Sequence, residues 1–142
     1  MQFQTLYNEL TTGLPLAILL VSGIMIVTQF FDCWSTMRLL THPSQERNPI
    51  ARKIMYRFGL RRSIIWIFWI WSALICLIAA TLIWLLLSEA AAALPTWLRV
   101  TAALGYIIFG VCTGIVQSFV VRTNMTGRFN AVTRGVVRVF RW

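Results

Sequence analysis

Two long uninterrupted apolar runs, residues 64–87 (IIWIFWIWSALICLIAATLIWLLL) and 98–121 (LRVTAALGYIIFGVCTGIVQSFVV), most constrain what this chain can become. At ~1.5 Å of rise per residue, a helix of either length crosses a hydrocarbon core of ~30 Å. A third run, residues 14–34 (LPLAILLVSGIMIVTQFFDCW), is also long enough. No Lys or Arg precedes it and no small-residue cleavage site follows, so it is expected as a retained first helix rather than a signal peptide. The chain of 142 residues is 58% hydrophobic and 12% charged, more apolar surface than one small water-soluble core can hide.

Within a bilayer each segment must satisfy its own backbone hydrogen bonds, and continuous apolar runs lack the period-2 alternation of barrel strands. The expected fold is an all-α membrane protein: three transmembrane helices with short amphipathic interfacial helices, one membrane domain over residues 1–142. The short outer connection SEAAAALPTW makes spans two and three antiparallel neighbours, and Pro95 favours a break before the third.

The basic residues are segregated. Arg38, Arg47, Arg52, Lys53, Arg57, Arg61 and Arg62 lie between spans one and two; Arg122, Arg128, Arg134, Arg138 and Arg141 follow span three; Arg99 alone lies beside the second connection. The positive-inside rule therefore expects loop 38–63 and tail 122–142 in the cytoplasm and the amino terminus outside, in a cell inner membrane crossed several times. A net charge of +9 placed this way serves anionic lipid of the cytoplasmic leaflet, at ~1 kcal/mol per cation near the surface, and argues against nucleic acid as a partner.

Three interfacial helices are expected. Phe3, Leu6, Tyr7 and Leu10 share a face of residues 2–13, with Pro15 in the first turn of the helix that follows. In the inner loop Asn48 is placed as N-cap, Pro49 at the first helical position and Gly59 as the stop of a helix over 49–58, whose Ile50, Ile54 and Phe58 dip into the head-group boundary. Phe129, Val132, Val136 and Phe140 repeat the pattern in the tail. Trp34 and Trp66 are expected at the inner interface, Trp84 and Trp97 at the outer one.

Chemistry-bearing patterns are sparse. Cys33, Cys76 and Cys112 have no metal-site spacing, and the single histidine, His42, lies in a loop, so no metal, haem or other cofactor is expected. The common nucleotide-binding, hydrolase and zinc-protease signatures do not occur. Polar residues in the spans are nevertheless aligned: Thr28, Gln29, Asp32, Ser35 and Thr36 form a stripe on the first helix. An aspartate inside a span is costly, which makes Asp32 the leading single candidate. On the third helix Gly110, Gly114 and Ser118 form a small-residue ridge that admits another helix closely, and Gln117 and Asn124 lie toward its inner end. A cytoplasm-facing polar pocket of Asp32, Thr36, Glu46, Asn48, Arg61 or Arg62, Gln117 and Asn124 is expected from these depths, with Asp32 and Glu46 the only conceivable acid–base pair.

The segment FFDCWSTMRLL, followed by ERNPIAR, a basic pair before the second span and TNM after the third, resembles a widespread family of small uncharacterised prokaryotic membrane proteins. That family's pattern is D-x-x-x-T, E-x-N-P, a basic residue before the next helix, and an Asn. The matching positions are Asp32, Thr36, Glu46, Asn48, Pro49, Arg61 or Arg62, and Asn124. Arg where the family more often has Lys, and the basic tail, are departures. The resemblance implies a membrane fold and leaves the activity open.

The expected function is non-enzymatic: an integral-membrane accessory or assembly subunit that packs its glycine ridge, tryptophan-rich second helix and basic surface helices against other transmembrane subunits and anionic lipid. The alternative is a membrane-embedded site at Asp32, Glu46, Asn48 and Asn124 that binds or transfers an ion, proton or lipid head group.

Overall fold

A computed structural model describes residues 2–46 and 48–127. All regular structure among them is helical: α1 (Gln2–Leu39), α2 (Pro49–Phe58), α3 (Leu60–Leu87) and α4 (Thr96–Thr126), with short 3-10 turns at Pro43–Gln45 and Glu89–Ala93. Three segments, Thr12–Leu39, Leu60–Leu87 and Thr96–Thr126, are long and apolar enough to cross a membrane. The chain is thus an all-helical protein with three candidate spans, each the core of an apolar run extended into its flanks. The expected tail helix, with Phe129, Val132, Val136 and Phe140, lies outside the described residues.

The first boundary differs from expectation. Residues 2–13 are not a separate surface helix; α1 runs through Pro15 without a break. An interior proline removes one backbone bond at a cost of ~3 kcal/mol or more, but a full helix break at membrane depth would strip several groups of partners. At the other end α1 continues past Trp34 to Leu39, and α4 passes Arg122 and Asn124 to end where Gly127 takes a positive φ of 67°. The Gly127 N–H then closes on the Thr123 carbonyl at 2.8 Å, a glycine stop.

The inner-loop helix forms as its residues dictate. Asn48 Oδ1 accepts the N–H groups of Ile50 (3.0 Å) and Ala51 (3.4 Å), Pro49 begins α2, and Gly59 at φ 86° ends it. The side of α2 that packs on the protein is distinct from the Ile50 and Phe58 positions expected at the head groups. Met55 is the fully buried residue and Ala51 packs beside it, while Ile50 and Phe58 remain exposed. The physical reason is the support beneath: Cys33, Leu40 and Ile64 offer a hydrophobic seat to Met55, and Ser63 Oγ donates to the Ile54 carbonyl at 3.2 Å.

The chain divides into two compact units, Met1–Ile26 with Ala73–Thr113, and Val27–Ser72 with Gly114–Trp142. In the first, Leu14, Ile18, Ala79 and Ala103 form the core, and Val21, Met25 and Ile75 a second cluster. Gly110 makes a close helix approach there: a Cβ at this position would overlap Val21 Cγ1 and lie 2.9 Å from Met25 Sδ. Ser22 Oγ and Tyr106 Oη are hydrogen-bonded at 2.8 Å. Arg99 folds back so that Nη1 donates to the Leu85 carbonyl (3.3 Å) near the end of α3 and Nη2 to Thr96 Oγ1 (3.2 Å). In the second unit the core is Cys33, Leu40, Met55 and Ile64, with Phe68 packed against it.

Candidate functional site

The polar stripe of α1 meets α4 in the second unit. Thr28 Oγ1 donates to Gln117 Oε1 at 2.6 Å, and Gln117 Nε2 donates to Gln29 Oε1. Seven residues on along both helices, Asn124 Nδ2 donates to Ser35 Oγ at 3.1 Å, and Ser35 Oγ in turn donates to the Asp32 carbonyl at 3.0 Å. Residue 28 pairs with 117 and 35 with 124, so the two helices advance in the same direction here. The seven-residue repeat places the two ties ~10 Å apart on one face. Gln29 Nε2 extends the first tie to Cys33 Sγ at 3.5 Å.

Of the residues expected to share a pocket, the structure brings together only some. Gln117 is engaged in the first tie and Asn124 in the second. Glu46 and Asn48 serve the backbone: Glu46 Oε1 accepts the Asn48 N–H at 2.8 Å, and Asn48 caps α2. The E-x-N-P stretch is therefore a helix-start device, in which one side chain orients the cap and the proline fixes the first turn. Arg61 and Arg62 are exposed in the first turn of α3. Thr36 and Asp32 are half-buried on α1.

The cavity that does form in this unit is lined by Trp34, Ser35, Arg38, Leu39, Asn124 and Met125, with a volume of about 220 Å³. Asn124 is its one member from the expected set. Arg38 stands with its guanidinium carbon 4.1 Å from the Trp34 ring centroid, a cation–π stack. The sequence signal for it is Trp34 and Arg38 at i, i+4, one above the other on a helix; continuation of the helix past Trp34 is needed to see it.

The small-residue ridge is divided in its use. Gly110 admits Val21 and Met25 of α1, so its partner is a helix of the same chain. Gly114 is buried, whereas Ser118 is exposed and donates to the Gly114 carbonyl at 2.8 Å. No group of three or more metal-ligating His, Cys, Asp or Glu side chains occurs among the described residues. No family model, curated protein or solved structure matches the chain.

Proposed function

We propose that this protein is an integral-membrane accessory or assembly subunit, seated in a cell inner membrane with loop 38–63 and its basic tail in the cytoplasm. The observation that carries the proposal is the outward face of α3, where Trp66, Trp69, Ile70 and Trp71 are all more than half exposed. Within the most apolar stretches, only 17% of α3 and 11% of α4 is buried inside the chain. Large aromatic side chains are the residues that concentrate binding energy when a partner covers them. The basic exposed side of α2, with Arg52, Lys53 and Arg57, adds attraction to anionic lipid.

The hydrogen-bonding of Gln117, Asn124, Glu46 and Asn48 favours this reading over ion or proton transfer through Asp32, because these groups already serve helix–helix contact and capping. The glycine ridge is not free for a partner at Gly110, which is filled by α1. The partner surface is α3. The test is the mass and composition of the native particle released in mild detergent. Co-migration with a larger membrane complex is the expected result; a lone monomer across a range of mild detergents would overturn the proposal.

A further inference from the structure

The cleft beside Trp34 has the chemistry of an anion site at the level of lipid head groups. Both walls come from the ends of candidate spans: Trp34, Ser35, Arg38 and Leu39 close the segment Thr12–Leu39, and Asn124 and Met125 close Thr96–Thr126. A helix end that leaves the apolar core reaches the depth where phosphates lie, and tryptophan prefers that depth. Inside the cleft the polar atoms are ordered. Asn124 donates one N–H to Ser35, which donates onward to the Asp32 carbonyl, so the amide is held in place with a second N–H to spare. Arg38 is held over the Trp34 ring, and among the described residues its guanidinium donates no hydrogen bond.

A stacked guanidinium with a free planar fork is suited to two oxygens of a tetrahedral phosphate, better than a flexible ammonium would be. The volume of about 220 Å³ falls below the ~300–1,000 Å³ of pockets that enclose drug-sized ligands, which suits a head group and not a nucleotide or large cofactor. The rim is apolar and exposed, through Leu39 and Met125, as a glycerol backbone leaving toward its acyl chains requires. We propose that this cleft binds the phosphate of an anionic phospholipid, with Arg38 as its principal ligand, Asn124 as a second donor and Trp34 as the platform that orients Arg38. This site stands on the cleft alone and does not depend on whether α3 meets a partner.

The full-length protein in mixed micelles would be titrated with phosphatidylglycerol, with phosphatidylcholine and with inorganic phosphate, and retained lipid read by native mass spectrometry. The expected result is preferential retention of phosphatidylglycerol, weakened about tenfold by Arg38→Gln and less by Asn124→Ala, with no displacement by inorganic phosphate. Arg38→Lys keeps the charge and loses the fork, so it should recover only part of the affinity. Arg122→Gln is the control for charge alone, since Arg122 is exposed on α4 outside the cleft. Equal losses in Arg38→Gln and Arg122→Gln, or retention unchanged in a folded Arg38→Gln, would overturn the site. Phosphate binding that matches the lipid would overturn its assignment to a lipid and leave a soluble phosphate as the occupant.

Discussion

The contact at Gly110 yields a sharp test of how the helices are held together. Adding one methyl group there, as Gly110→Ala, places a carbon inside the van der Waals envelope of Val21 Cγ1 and 2.9 Å from Met25 Sδ. Methionine can yield through its rotatable bonds. Val21 cannot, because a β-branched side chain in a helix has essentially one χ1 rotamer and this one is buried. The helices must therefore separate slightly, at a cost of ~1–3 kcal/mol for overpacking, against a gain of ~1 kcal/mol for alanine over glycine in a helix. Gly105, on the same helix, has open space where its methyl would go, with no atom within 4 Å, so Gly105→Ala should show only the propensity gain. Unfolding of both variants in mixed micelles of mild detergent and dodecyl sulfate, followed by tryptophan fluorescence, should put Gly110→Ala below Gly105→Ala by ~1–3 kcal/mol, with Gly110→Leu lower still. A Gly110→Ala protein as stable as Gly105→Ala would refute the close approach of α1 and α4.

Other outcomes follow from the remaining contacts. Gln117→Leu removes the ties to Thr28 and Gln29 and should cost ~1 kcal/mol, at ~0.6 kcal/mol for each interhelical bond in lipid. In a double-mutant cycle with Thr28→Val the two losses should be non-additive, and strict additivity would deny the bond. Asn48→Ala should speed amide exchange at Ile50 and Ala51 by the ~0.5–2 kcal/mol value of an N-cap while leaving the spans unchanged. A phosphatase active only outside the cytoplasm should work when fused after Glu89, and a reporter that fluoresces only in the cytoplasm should work when fused after Trp142; the reverse pattern would invert the proposed orientation.

Much of this architecture is legible in the sequence because it rests on local rules. The apolar runs mark α1, α3 and α4, and Asn48, Pro49 and Gly59 start and stop α2 at the expected places. Continuity of α1 across Pro15 is not legible, since a proline at a span's edge fits both a first turn and a tolerated interior position. Pairings are hidden for a different reason. The stripe containing Thr28, Gln29 and Ser35 announces that it faces something, but only the packing of α1 on α4 decides that Gln117 and Asn124 receive it. Glu46 and Asn48 look like pocket ligands in sequence because a capping side chain and a binding side chain have the same composition. Arg38 is concealed because an arginine just beyond an apolar run reads as a topology signal until the helix beneath it is seen to continue.

Contact between α3 and another protein is tested most directly by a photo-crosslinking amino acid placed at Trp69 or Ile70 in the native membrane. A discrete adduct with a second membrane polypeptide is expected from these exposed positions. Adducts with lipid alone at both would contradict the assignment of α3 as a partner surface and leave it as a face that only the bilayer covers.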